Sequence, residues 1–227
     1  MNFDEAEQTT MLRDTLRRFI EKEMPRELAR TLDKSASHSR EAFRKLCELG
    51  VTALAVPEEY GGSGVDILSA IVVIEELAKR GTSLAGPFIH CAFYGALNIL
   101  ENGNEAQKQA LLPKFAQGEI LFAYGWSEAG VGGDLASVPV TGTLGADGKS
   151  VVINGTKRWV TGARIADYVY TLVRSGPKTE RYGNLSLVLV PTKSRGLTIV
   201  DIDHIGLRYA ETTDVIFDDV TVPLANI

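Results

Sequence analysis

The stretch Tyr124-Gly125-Trp126-Ser127-Glu128-Ala129-Gly130-Val131-Gly132-Gly133-Asp134 sets aromatic and hydroxyl side chains directly ahead of a glycine-dense turn. Gly130, Gly132 and Gly133 leave bare backbone N–H groups, against which a pyrophosphate or a thioester can lie without Cβ interference. Further along come Trp159-Val160-Thr161. On a strand, Trp159 and Thr161 share one side and offer an indole face and a hydroxyl to a flat, hydrogen-bonding heterocycle. Ser127 can bring a second hydroxyl to the edge of such a ring. Taken singly, each segment also reads as an ordinary strand, a glycine turn and a core tryptophan. The glycines do not follow G-x-G-x-x-G and no βαβ unit surrounds them, which argues against a nicotinamide site. His38 and His204 have no partners at metal-ligand spacing, so no metal centre is expected.

These segments need elements to carry them, and the chain changes period near Gly118. Before it the pattern is helical. Leu12, Leu16, Phe19 and Ile20 form one apolar stripe, and Phe43, Leu46, Cys47 and Leu49 a shorter one that Gly50 stops. Asp66 is placed to cap a third helix over 67–79, closed by Arg80-Gly81 and apolar on most of its circumference, which suggests an interior position. A fourth helix is expected over 88–100, ending at Glu101-Asn102-Gly103. Asn104 caps a fifth, running to about Gln117 despite Pro113. After Gly118, short β-branched or aromatic runs cover 120–127, 138–144, 151–153, 157–161, 168–174, 185–190, 197–201 and 215–217. Turn chemistry separates them at Gly145-Ala146-Asp147-Gly148, Asn154-Gly155 and Gly183-Asn184. The expected class is α+β: an all-α helical domain over residues 1–118, then an antiparallel β-barrel or sandwich over 119–227.

Composition narrows the field. A length of 227 residues suits two domains, and a net charge of −5 without a basic stripe argues against nucleic acid. Cys47 and Cys91 are too few for a disulfide framework and read as buried thiols in a reducing compartment. Residues 1–7 lack a signal-peptide layout, and the longest apolar run, 67–74, is interrupted by Ser69 and ends in Glu75-Glu76. A cytoplasmic protein that does not enter a membrane is expected.

Four motifs in order carry a resemblance: Pro57-Glu58-Glu59-Tyr60-Gly61-Gly62-Ser63-Gly64, then 124–134, then Asn154-Gly155-Thr156-Lys157-Arg158-Trp159-Val160-Thr161, then Gly206-Leu207-Arg208 leading into 215–223. Together they resemble the acyl-CoA dehydrogenase family over essentially the whole chain. The resemblance implies FAD and an acyl-CoA thioester bound between a helical N-terminal domain, a β middle domain and a C-terminal four-helix domain. It implies α,β-oxidation of the acyl chain, with a carboxylate removing the α-proton as the β-hydride goes to flavin N5. It also implies an electron-transfer flavoprotein or similar acceptor, and a homo- or heterotetramer for the full-length protein. Carried over by position, Tyr124, Trp126 and Ser127 fall on flavin contacts, and Trp159, Val160 and Thr161 on the strand under the ring. Gly132 and Gly133 fall near the pyrophosphate, and Gly133 also near the pantetheine arm. The acyl-pocket floor falls on Pro87, His90, Cys91 and Tyr94, a partly polar face suited to a functionalised chain; plain core packing is the other reading of those four.

The chain departs from the family at Ala129, where proline is usual, at Gly133, where serine is usual, and at Gly162, where asparagine is common. Glu211-Thr212-Thr213 stands where an acidic-Thr-Arg stretch is often used toward CoA. These changes bear on the CoA contacts more than on the flavin platform. The family's base is a glutamate after the Val-x-Val-Pro element, so none is assigned here; Glu58, Glu59, Glu75, Glu76 and Glu128 read as turn, helix-surface or structural carboxylates. A non-catalytic partner subunit, an acyl-CoA oxidase or flavin monooxygenase on the same fold, and a purely structural protein remain alternatives.

Overall fold

The computed structural model describes residues 5–80, 83–177, 179–206 and 208–227. They divide into two compact units, Met1–Leu121 with Ile205–Ala210, and Phe122–His204 with Glu211–Ile227. Gly81, which was expected to close the third helix, and Leu207 of the Gly206-Arg208 element lie outside the described residues, as do residues 1–4.

The first unit is helical. α1 (Glu7–Glu23) turns Leu16 and Ile20 inward, as its stripe requires. α2 (Arg26–Lys34) buries nothing, and α3 (Arg40–Cys47) is capped by Ser39 and ends before Gly50, whose φ of 78° only glycine adopts freely. α4 (Ile67–Ala78) starts at Asp66, whose carboxylate accepts from the Ser69 N–H at 3.1 Å. Its apolar circumference does not make it an interior helix: Ala70, Val72, Val73 and Leu77 are buried, whereas Leu68 is 78% and Ile71 47% exposed. The fourth expected helix is continuous but not uniform. α5 (Ala85–Cys91) passes into a π-helical segment (Ala92–Leu97) and then α6 (Asn98–Asn102). There Gly95 lets the Phe115 ring into the space a Cβ would occupy. α7 (Glu105–Ala116) begins in a reciprocal capping box between Asn104 and Gln107. Pro113 is held inside it because Leu111, Leu112, Phe115 and Ala116 are all buried. Cys91 is fully buried, but Cys47 is only partly so. Burial pushes the Cys47 thiol up to about 11 and that of Cys91 well above its ordinary value.

The second unit is a curled half-barrel, one seven-stranded sheet in the order β1-β4-β2-β3-β7-β6, with β5 beside β4. The strands are β1 (Phe122–Gly125), β2 (Thr141–Leu144), β3 (Ser150–Thr161), β4 (Tyr168–Arg174), β5 (Leu185–Pro191), β6 (Leu197–Asp201) and β7 (Thr212–Pro223). Pairing is mainly antiparallel, but β1 and then β2 run parallel along the edge of β4 that β5 leaves open. Two expectations change. Asn154-Gly155 is no hairpin turn: β3 runs straight through it, with Gly155 at φ 127° and a register shift between Ile153 and Gly155. An Asn-Gly pair supplies the positive φ of a bulge as readily as that of a turn. And β7 extends three residues before and six residues after 215–217, because its outward positions Asp214, Asp218, Asp219 and Thr221 are polar and hide the alternation.

Candidate functional site

All residues expected to contact the flavin lie on the sheet unit. β1 alternates, so Tyr124 and Trp126 share one side, their rings stacked at 5.2 Å and nearly parallel, with Tyr170 of β4 tilted beside Tyr124 at 5.8 Å. Beneath this row the sheet hides a charge pair. The Lys157 ammonium is fully buried, donating to the Trp126 carbonyl at 3.0 Å and to the Glu128 carboxylate at 2.7 Å. Glu128, 3% exposed, also accepts from the Val140 N–H at 3.3 Å. Burial draws the Lys157 pKa below its ordinary value, against the pull of Glu128. The backbone of Glu128 exchanges two hydrogen bonds with Val131, closing the turn through Ala129 and Gly130. One ion pair therefore ties β1, the glycine turn and β3 together. Glu128 is held in a structural ion pair, in line with its reading as a structural carboxylate; neither the burial of Lys157 nor its pairing with Glu128 was legible in the sequence.

β3 is distorted where Trp159 stands. The register shifts between Lys157 and Val160, and Trp159 sits at φ 59°, a conformation that costs a bulky residue about 1–3 kcal/mol. The indole is 51% exposed rather than in the core. Val160, the next residue, is buried, and its carbonyl accepts from the buried Thr213 hydroxyl at 2.8 Å. Thr161 returns to the open side, half-buried. The Arg158 N–H donates to the Ser127 carbonyl at 2.9 Å, so Ser127 and the bulge are neighbours. Gly162 has a φ of 71° and donates to the Glu211 carbonyl at 3.0 Å. Asparagine also tolerates that region, so this departure from the family is conformationally mild. Thr213, where an arginine was missed, is spent inside the sheet.

Two features fit a flat, phosphate-bearing cofactor. The Trp126 Nε1 atom is buried with no hydrogen-bond partner among the described residues, a donor left over for something outside the chain. At Gly130, Gly132 and Gly133 a Cβ would meet nothing within 4 Å, and none of the three has positive φ. Neither packing nor backbone strain requires glycine there, whereas a ligand pressed onto the amides would.

The expected acyl-floor residues lie on the helical unit. Pro87, His90 and Cys91 are buried on α5, and Tyr94 is half-buried in the π-helical segment. The rings of His90 and Tyr94 meet edge to face at 5.0 Å, and the Cys91 thiol reaches the Phe115 carbonyl at 3.2 Å. The wider π turn alters the helical spacing assumed between 91 and 94.

A helical unit and a curled half-barrel sheet are the architecture shared with solved acyl-CoA dehydrogenases. Residues 6–119 match the acyl-CoA dehydrogenase N-terminal domain and residues 123–220 the middle domain. The chain belongs to the acyl-CoA dehydrogenase family. It is 32% identical to the probable acyl-CoA dehydrogenase YngJ of Bacillus subtilis, over 100% of this chain and 59% of that protein. The acyl-CoA dehydrogenase of Geobacillus kaustophilus superposes with a TM-score of 0.91 at 31% identity, over 100% of this chain and 59% of its own. An acyl-CoA dehydrogenase of Bacillus anthracis solved with FAD superposes with a TM-score of 0.85 at 30% identity, over 98% of this chain and 37% of its own. FAD is the cofactor of the family. The chain thus spans about three-fifths of the length of YngJ.

Proposed function

We propose that the chain carries the flavin platform of an FAD-dependent acyl-CoA dehydrogenase, which oxidises the α,β bond of an acyl-CoA thioester. Residues 1–118 are its helical domain and 119–227 its middle domain. Trp159 offers its indole face to the ring, with Thr161 and Ser127 giving hydroxyls to its edge, while Tyr124 and the Trp126 N–H line the other approach. Val160 anchors the strand beneath. The amides at Gly132 and Gly133 receive the pyrophosphate, and Gly133 the pantetheine arm. When bound, FAD supplies the two-electron acceptor for the substrate's β-hydride. Pro87, His90, Cys91 and Tyr94 floor the acyl pocket. No carboxylate of this chain is assigned as base; Glu76 and Glu128 are already committed to buried ion pairs. Electrons pass to an electron-transfer flavoprotein or similar acceptor, and the protein works as a cytoplasmic homo- or heterotetramer.

The supporting observations are a glycine-dense turn that neither packing among the described residues nor positive φ requires and an indole, that of Trp159, held out of the core. Titrating the protein with FAD should give saturable uptake with shifted flavin absorbance, and an acyl-CoA should then perturb the spectrum of the bound flavin. A protein that takes up no FAD would overturn the assignment.

A further inference from the structure

Asp214 is the residue that faces the bulge. β3 and β7 are in register at Lys157 with Val215 and again at Val160 with Thr213. Two residues, Arg158 and Trp159, therefore stand against the single Asp214. The Arg158 guanidinium carbon lies 5.5 Å from the centroid of the indole, and its Nε 3.7 Å from Asp214 Oδ1. That oxygen is buried and accepts no hydrogen bond among the described residues, so it faces the guanidinium as a bare charge. The Arg158 backbone is pinned in turn to Ser127. The guanidinium is thus held between a carboxylate and the ring on which the proposed function places the flavin.

We propose that Arg158 and Asp214 form a charged clamp that holds the Trp159 indole in place and tunes the reduction potential of the ring bound against it. The inference rests on the flavin reading. A cation stacked on the indole holds the platform flat. Reduction adds negative charge to the flavin, so the nearby cation favours the reduced form and Asp214 opposes it. The two residues accordingly act with opposite sign on the potential. Simple loosening of the bulge would move both variants the same way.

The test compares FAD dissociation constants and flavin midpoint potentials for the wild type, Arg158→Met, Arg158→Lys and Asp214→Asn. Arg158→Met should bind FAD about fivefold more weakly. Its midpoint should fall by about 30 mV, a tenfold change in the two-electron equilibrium. Arg158→Lys keeps the charge but not the planar stack, so its midpoint should stay near wild type while affinity drops. Asp214→Asn should shift the midpoint upward. Shifts of the same sign in Arg158→Met and Asp214→Asn, or potentials equal to wild type in both, would overturn the clamp and leave the flavin reading standing. If Arg158→Met fails to fold, a wild-type potential in Asp214→Asn overturns it equally. A wild type that holds no FAD removes both proposals.

Discussion

Gly95 is glycine because the Phe115 ring fills the place of a Cβ, and the φ of 71° at Gly162 favours glycine or asparagine. Gly132 has neither reason, with open space where a side chain would go. Adding a methyl there should leave the thermal midpoint unchanged or slightly raised, since alanine lowers the entropy of the unfolded chain. If a pyrophosphate or thioester lies on the amide, the same methyl must collide with it. Gly132→Ala should therefore weaken FAD or acyl-CoA binding about tenfold or more at constant stability, read by ligand titration beside a thermal melt. Equal affinity would return the turn to an ordinary loop. His90 poses the complementary question, because it is 3% exposed and its ring already meets Tyr94. If it floors an acyl pocket, His90→Leu should move the kcat/KM ratio of functionalised to plain acyl thioesters by about tenfold toward the plain chain. An unchanged ratio makes His90 a packing residue.

At the scale of elements, the Lys157–Glu128 pair decides whether β1, the glycine turn and β3 keep their mutual register. Removing one member strands the other charge in a site with no exposure. Glu128→Ala should therefore cost about 3–5 kcal/mol of unfolding free energy in a denaturant titration. Replacing both by apolar residues of similar volume should cost far less, yet still weaken FAD binding, because the Trp126 carbonyl loses its tether. A double variant with wild-type flavin affinity would separate the pair from the site. Much of this framework was legible before the structure. Asp66 and Asn104 announced their helices through cap chemistry, and β4 and β6 coincide with their β-branched runs. What was not legible is non-local. The bulge at Trp159 arises from pairing with β7, more than fifty residues away, and leaves no mark in local propensity. The π-helical turn at Ala92–Leu97 is likewise invisible, since its residues suit an α-helix equally well. The carboxylate opposite Arg158 likewise needed the register of β3 against β7.

At the scale of the whole molecule, acid stability should hinge on Glu76. Its carboxylate is fully buried yet touches Lys79 at 2.7 Å, Arg13 at 2.9 Å and Arg17 at 3.2 Å, locking α1 to α4. Burial alone would raise its pKa, but hydrogen bonds from Lys79, Arg17 and Arg13 outweigh that and hold it at about 2, against an ordinary 4.5. A carboxylate whose folded pKa is depressed stabilises the fold at every pH above its unfolded value. That stabilisation is lost as pH falls from about 4.5 through about 2. Exposed Glu5 and part-buried Glu23, lowered by Arg13 and Lys45, add to the same trend. Glu211 runs the other way, since burial and then Asp201 raise its pKa. The melting temperature should thus hold steady at mildly acid pH and fall steeply below about 4.5. Glu76→Gln should lose about 2–3 kcal/mol at neutral pH, less than a wholly buried pair because Arg17 and Lys79 are half exposed. It should also flatten the acid limb, because the variant has nothing left to protonate at that position. An acid limb as steep as wild type in Glu76→Gln would move the titrating group elsewhere and reduce the α1–α4 cluster to surface decoration.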